Sequence, residues 1–82
     1  MALCVMAETV LAKSRHRIEG DSVTVHFSVL LCENAEGDDE FVYWVQLLDS
    51  VGEIVMKEIA NDFISAHDIY TRLKITLGPE HS

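Results

Sequence analysis

The chain predicts a small all-β domain: a five-stranded antiparallel β-sandwich or partly open barrel, with one short helical turn near residues 61–67. Three observations carry this expectation. First, Phe41–Ile59 holds two runs of β-branched and aromatic residues about the turn Asp49-Ser50-Val51-Gly52, the pattern of a hairpin. Second, Ser22–Cys32 alternates: Val23, Val25, Phe27, Val29 and Leu31 fall on one side, and Thr24, His26 and Ser28 on the other. Third, the glycines Gly20, Gly37, Gly52 and Gly78 all fall where such runs end and the chain can reverse.

Taken in order, the first seven residues are an extension that reads equally as strand, helix or disorder, and a strand is expected from about Glu8. In Val10–Ile18 an alternating reading puts Val10, Ala12, Ser14, His16 and Ile18 on one face. Leu11, Lys13, Arg15 and Arg17 then share the other. Glu19-Gly20-Asp21-Ser22 turns the chain into the alternating strand that ends at Cys32. Glu33–Glu40 is the longest polar stretch and forms a loop.

In the central hairpin, the Asp49 carboxylate suits the start of a type I turn, and Gly52 suits the positive φ of a bulge at its end. That register sets Leu48 opposite Ile54, Gln46 opposite Met56 and Trp44 opposite Glu58. One face carries Phe41, Tyr43, Val45, Leu47, Val55 and Ile59; the other carries Val42, Trp44, Leu48, Ile54 and Met56. A half-solvated strand should have one polar face. This hairpin has none, so cover is expected on both sides, from a second layer of the same chain or from a partner subunit. Asp68–Leu77 alternates Ile69, Thr71, Leu73, Ile75 and Leu77 against Tyr70, Arg72, Lys74 and Thr76, which reads as the fifth strand. Gly78-Pro79 stops it, and residues 78–82 are expected to be a disordered tail of one domain spanning residues 1–82.

Composition limits the function. Hydrophobic residues make up 49% of the chain, more than the interior of so small a domain readily hides, so self-association, most simply a dimer, is expected. A net charge of −8 disfavours direct contact with nucleic acid or an anionic membrane. No apolar run approaches the length of a membrane span. Cys4 and Cys32 are two isolated cysteines, too few for a disulfide framework, and fit reduced thiols in the cytoplasm.

No nucleophile elbow, phosphate-cradling glycine loop or local pair of metal ligands is present, so no catalytic residue, cofactor or metal site is assigned and the protein is read as non-enzymatic. The spacing from Cys32 to Trp44 resembles that of immunoglobulin-like domains, but no cysteine follows Trp44 to pair with Cys32 and Asp68-Ile69-Tyr70 departs from the family pattern, so no family is assigned. The expected function is protein–protein contact through Val42, Trp44, Leu48, Ile54 and Met56, a Trp–Met–aliphatic set of the kind found at interface hot spots.

The charged residues Glu36, Asp38, Asp39 and Glu40 on one side, and Lys13, Arg15 and Arg17 on the other, would set orientation and partner choice. The three cations could pair with the acidic loop of the same or another subunit, could bind an anionic ligand or a phosphorylated partner, or could protect an edge strand from aggregation. One alternative is an acidic inhibitor or decoy whose loop 33–40 blocks a cationic, nucleic-acid-binding site on a partner. Another is a ligand- or metal-binding module, for instance with His16 and His26 meeting across the first hairpin.

Overall fold

The computed structural model describes residues 4–80. It is mostly β: β1 (Cys4–Ile18), β2 (Asp21–Glu33), β3 (Asp39–Leu48) and β4 (Ile54–Ala60), followed by one helix, α1 (Phe63–Leu77). The strands form a single antiparallel sheet in the order β1-β2-β3-β4, each beside its neighbour in sequence. The expected strand in the first part of the chain begins at Cys4, upstream of Glu8. Residues 1–3 and 81–82, parts of the expected extension and tail, lie outside the described residues.

The sheet is open and has four strands, which corrects the expected five strands and the sandwich or barrel. The fifth strand, Asp68–Leu77, is helical, and the short turn near residues 61–67 is the start of that same helix. The alternation of Asp68–Leu77 concealed a second period. Ala66, Ile69, Tyr70, Leu73 and Leu77 recur at three- and four-residue steps and make one apolar stripe. Ile75, which a strand would have placed with Leu73 and Leu77, is 75% exposed, while Tyr70 is buried.

Local chemistry sets both ends of the helix. Asp62 is extended and its carboxylate accepts from the Ser65 backbone N–H at 2.9 Å and the Ser65 hydroxyl at 3.0 Å. Gly78 has a φ of 93°, which β-carbon-bearing residues rarely adopt, and its N–H reaches the Lys74 and Ile75 carbonyls.

The core lies between α1 and one face of the sheet. Val25, Phe27 and Val45 form its floor and Ala66 and Tyr70 its roof, with Ala12, Leu47, Ala60, Ile69 and Leu73 packed around them. Ala12 and Ala60 are small enough to let the helix settle on the sheet. Phe27 sits at the centre, with the Tyr70 ring at 5.4 Å and the Phe63 ring at 5.5 Å. Truncating a buried aromatic of this kind costs about 3–5 kcal/mol.

Register decides which side chains reach which face. The turn Asp49–Gly52 forms as its residues dictate: Gly52 has a φ of 86°, and Asp49 Oδ1 accepts from the Val51 and Glu53 N–H groups. Leu48 lies opposite Ile54, as expected. A further irregularity follows at once, because Leu47 pairs with Met56 and leaves Val55 without a partner. Beyond it the pairs are Gln46–Lys57 and Trp44–Ile59, one residue out of the expected register. Met56 therefore moves to the helix side and Ile59 to the opposite face. On the helix side Phe41, at the start of β3, is 59% exposed.

Candidate functional site

The sheet face turned away from α1 is the candidate site. Antiparallel partners share a face, so the pairings give its rows directly. Its centre is Val10, Ser28, Trp44 and Ile59 on the four successive strands. Toward the β2–β3 loop come Glu8, Leu30 and Val42, then Val5, Cys32 and Glu40. Toward the β1–β2 turn come Lys13, His26, Gln46 and Lys57, then Arg15, Thr24, Leu48 and Ile54.

Trp44 organises the centre. From β3 its indole crosses β2 and donates to the Glu8 carboxylate on β1 at 2.9 Å. Lys57 of β4 stands 3.9 Å from the ring centroid, close enough for a cation–π contact of about 0.5–1 kcal/mol at an exposed site. Ser28, paired with Trp44, is small enough to leave room for the crossing. Its Oγ is buried and has no hydrogen-bond partner among the described residues. Beneath the indole, Leu30, Cys32 and Val42 are buried together. Around it Val10, Ile54 and Ile59 stay 46%, 53% and 61% exposed, so the face is apolar at its surface as well as at its base.

Four of the five residues expected at the contact, Val42, Trp44, Leu48 and Ile54, share this face. Met56 does not, because the extra Val55 turns it toward the helix. Val42 is 3% exposed and supports the surface from below. Val10 and Ile59 belong to the site, although simple alternation puts each on the opposite face. Bulges at Val10/Ala12 and Leu47/Leu48 shift both, and such irregularities leave no mark in an alternating pattern.

The charged groups separate along the same face. Lys13, Arg15 and Arg17 lie near the β1–β2 turn, and Glu8 and Glu40 lie toward the other end, where the acidic loop projects. Arg15 stands opposite Thr24 and Glu40 opposite Cys32. The two ends are thus about 26 Å apart along β2, at about 3.3 Å per residue. Pairing of these cations with the acidic loop inside one subunit is ruled out by that distance. The loop is tightly built: Asn34 Oδ1 accepts from Glu36 N at 2.9 Å and Asp38 N at 3.0 Å. Glu36, Asp38, Asp39 and Glu40 are therefore held at the sheet end and exposed, with Asp39 turned to the helix side opposite Glu33.

His16 and His26 do not meet across the first hairpin, so they make no zinc pair. His26 is on the open face beside Lys13, whereas His16 is on the helix face. There His16 is fully buried, 2.8 Å from Ser14 Oγ through Nε2, and its Nδ1 donates to the Gly78 carbonyl at 3.0 Å and the Pro79 carbonyl at 3.3 Å. Its sequence setting, Ser14 and His16 between exposed cations, gave no sign of this anchoring role. Among the described residues no group of three His, Cys, Asp or Glu side chains could hold a metal ion.

A cavity of about 360 Å³ opens on the helix side between the β1–β2 and β3–β4 turns, lined by Val23, Leu47 and Val55 with the carboxylates of Glu19, Asp21 and Asp49. Asp49 is already engaged by the backbone of its own turn. No helix among the described residues is long and apolar enough to cross a membrane.

No protein family matches the chain, nor does any curated protein or solved structure.

Proposed function

We propose that the protein acts by protein–protein contact, with the open face of its sheet as the docking surface and no chemistry of its own. One observation carries this reading: the face that α1 leaves bare is apolar at its centre and holds the chain's single tryptophan in a fixed pose between Glu8 and Lys57. A rigid aromatic anchor ringed by exposed aliphatics is the composition of an interface core. Binding there would cost little ordering, because the anchor is already placed. The free thiols of Cys4 and Cys32 fit a reducing compartment such as the cytoplasm.

The test is a photo-crosslinking residue at Ile59 on the open face, with the same residue at Ile64 on the helix as control. The two positions are 61% and 80% exposed. Adducts with another polypeptide, whether a second copy or a different protein, are expected from position 59 alone. Equal or greater yield from position 64 would remove the open face as the docking surface.

A further inference from the structure

We infer that the occupant of the open face is a second copy of this chain, packed face to face with its strands reversed. This rests on the docking reading above and names its partner. The molecule measures 46 × 25 × 19 Å, so its broad side is large enough for the about 800 Å² per partner of a standard interface. A twofold axis lying in the plane of the face brings the open faces of two copies together, and its two limiting directions differ in how the charges meet. With the axis parallel to the strands, each cationic end meets the other's cationic end, and like charges oppose. With the axis across the strands, the cationic end of each copy meets the acidic end of the other.

The charge pattern selects the second arrangement. Lys13 and Arg15 form no ion pair among the described residues, and the only acidic side chains that share their face lie at the far end. Rotation about an axis through the row Val10–Trp44–Ile59 lays that row on its own copy. It sets Lys13 against the second copy's Glu8 and Arg15 against the row that holds Glu40. Each pair then occurs twice, as a twofold interface demands. The apolar centre meets the apolar centre, and charges of opposite sign flank it at both ends, fixing orientation.

The experiment is charge reversal with complementation, read by light scattering. One variant carries Lys13→Glu and Arg15→Glu; the other carries Glu8→Lys and Glu40→Lys. All four residues are exposed, and far-UV circular dichroism checks that each variant folds. The wild type is expected to be a dimer, each variant at least tenfold weaker in self-association, and an equimolar mixture restored to a dimer containing one of each. The acid-reversed variant is the sharper arm, because it brings the net charge closer to zero than −8 and simple repulsion would make it associate better. A dimeric wild type whose variants associate unchanged, or whose mixture fails to pair, would overturn the reversed packing. A wild type that stays monomeric at every concentration would overturn self-pairing; adducts to a different protein from position 59 would then leave the docking surface standing with another occupant.

Discussion

His16 on β1 donates from Nδ1 to the carbonyl of Gly78, 3.0 Å away, and so ties the first strand to the residue that ends the helix. The partners are 62 residues apart in sequence, and the ring is fully buried between them. A carbonyl can only accept, so the proton sits on Nδ1. Replacing this ring by a side chain without a donor leaves the Gly78 carbonyl and the Ser14 hydroxyl short of a partner.

His16→Ala is therefore expected to destabilise the fold by about 1–3 kcal/mol, the usual penalty for stranding buried polar groups. Urea unfolding followed by circular dichroism measures it. An unchanged midpoint would mean that the strand and the helix end hold together without the ring.

The start of the helix makes the fold sensitive to acid. Hydrogen bonds from the Ser65 hydroxyl and backbone N–H hold the Asp62 carboxyl below its ordinary value. The unfolded chain thus binds a proton at higher pH than the folded one. The contribution is complete at neutral pH and is lost as pH falls through the folded value. Asp62→Asn keeps a capping acceptor but no titrating group. Its melting temperature should fall less than that of the wild type between about pH 5 and pH 2, where depressed carboxylates are protonated. Parallel curves for the two proteins would show that Asp62 is not a source of the acid sensitivity.

At the open face, Trp44→Ala should weaken association by about 2 kcal/mol or more, as expected of an aromatic anchor at the middle of an interface. Val51→Ala, at a turn residue 77% exposed, should change it by no more than about 0.5 kcal/mol. Concentration-dependent light scattering compares the two. Equal losses would mean that Trp44 lies outside the contact.

How far the sequence foretold these arrangements depended on the kind of signal. β2 and β3 are legible because β-branched and aromatic residues in simple alternation leave few other options, and Gly52 with Asp49 specifies the turn between β3 and β4. The helix is concealed because Ile69, Leu73 and Leu77 fit a two-residue period and a four-residue step equally well. Asp62 with Ser65, a cap three residues apart, was the feature that could have decided it. At the candidate site Val42, Trp44, Leu48 and Ile54 followed from alternation, whereas Met56 and Ile59 exchanged faces at a bulge. A bulge is settled by packing across the whole sheet, with the helix on one side of it, and no single residue near Val55 announces it.

Every strand pairs with the one that precedes it in the chain. The sheet can thus zip together hairpin by hairpin as the polypeptide leaves the ribosome, with short loops to close at each step. Until residues as far as Tyr70 have emerged, Phe27 has no roof, and both faces of the half-made sheet are bare. Arrival of the helix ends that equivalence. One surface becomes an interior, and the other is left as the side that can meet a neighbour, so the order of synthesis itself decides when the molecule acquires a front and a back.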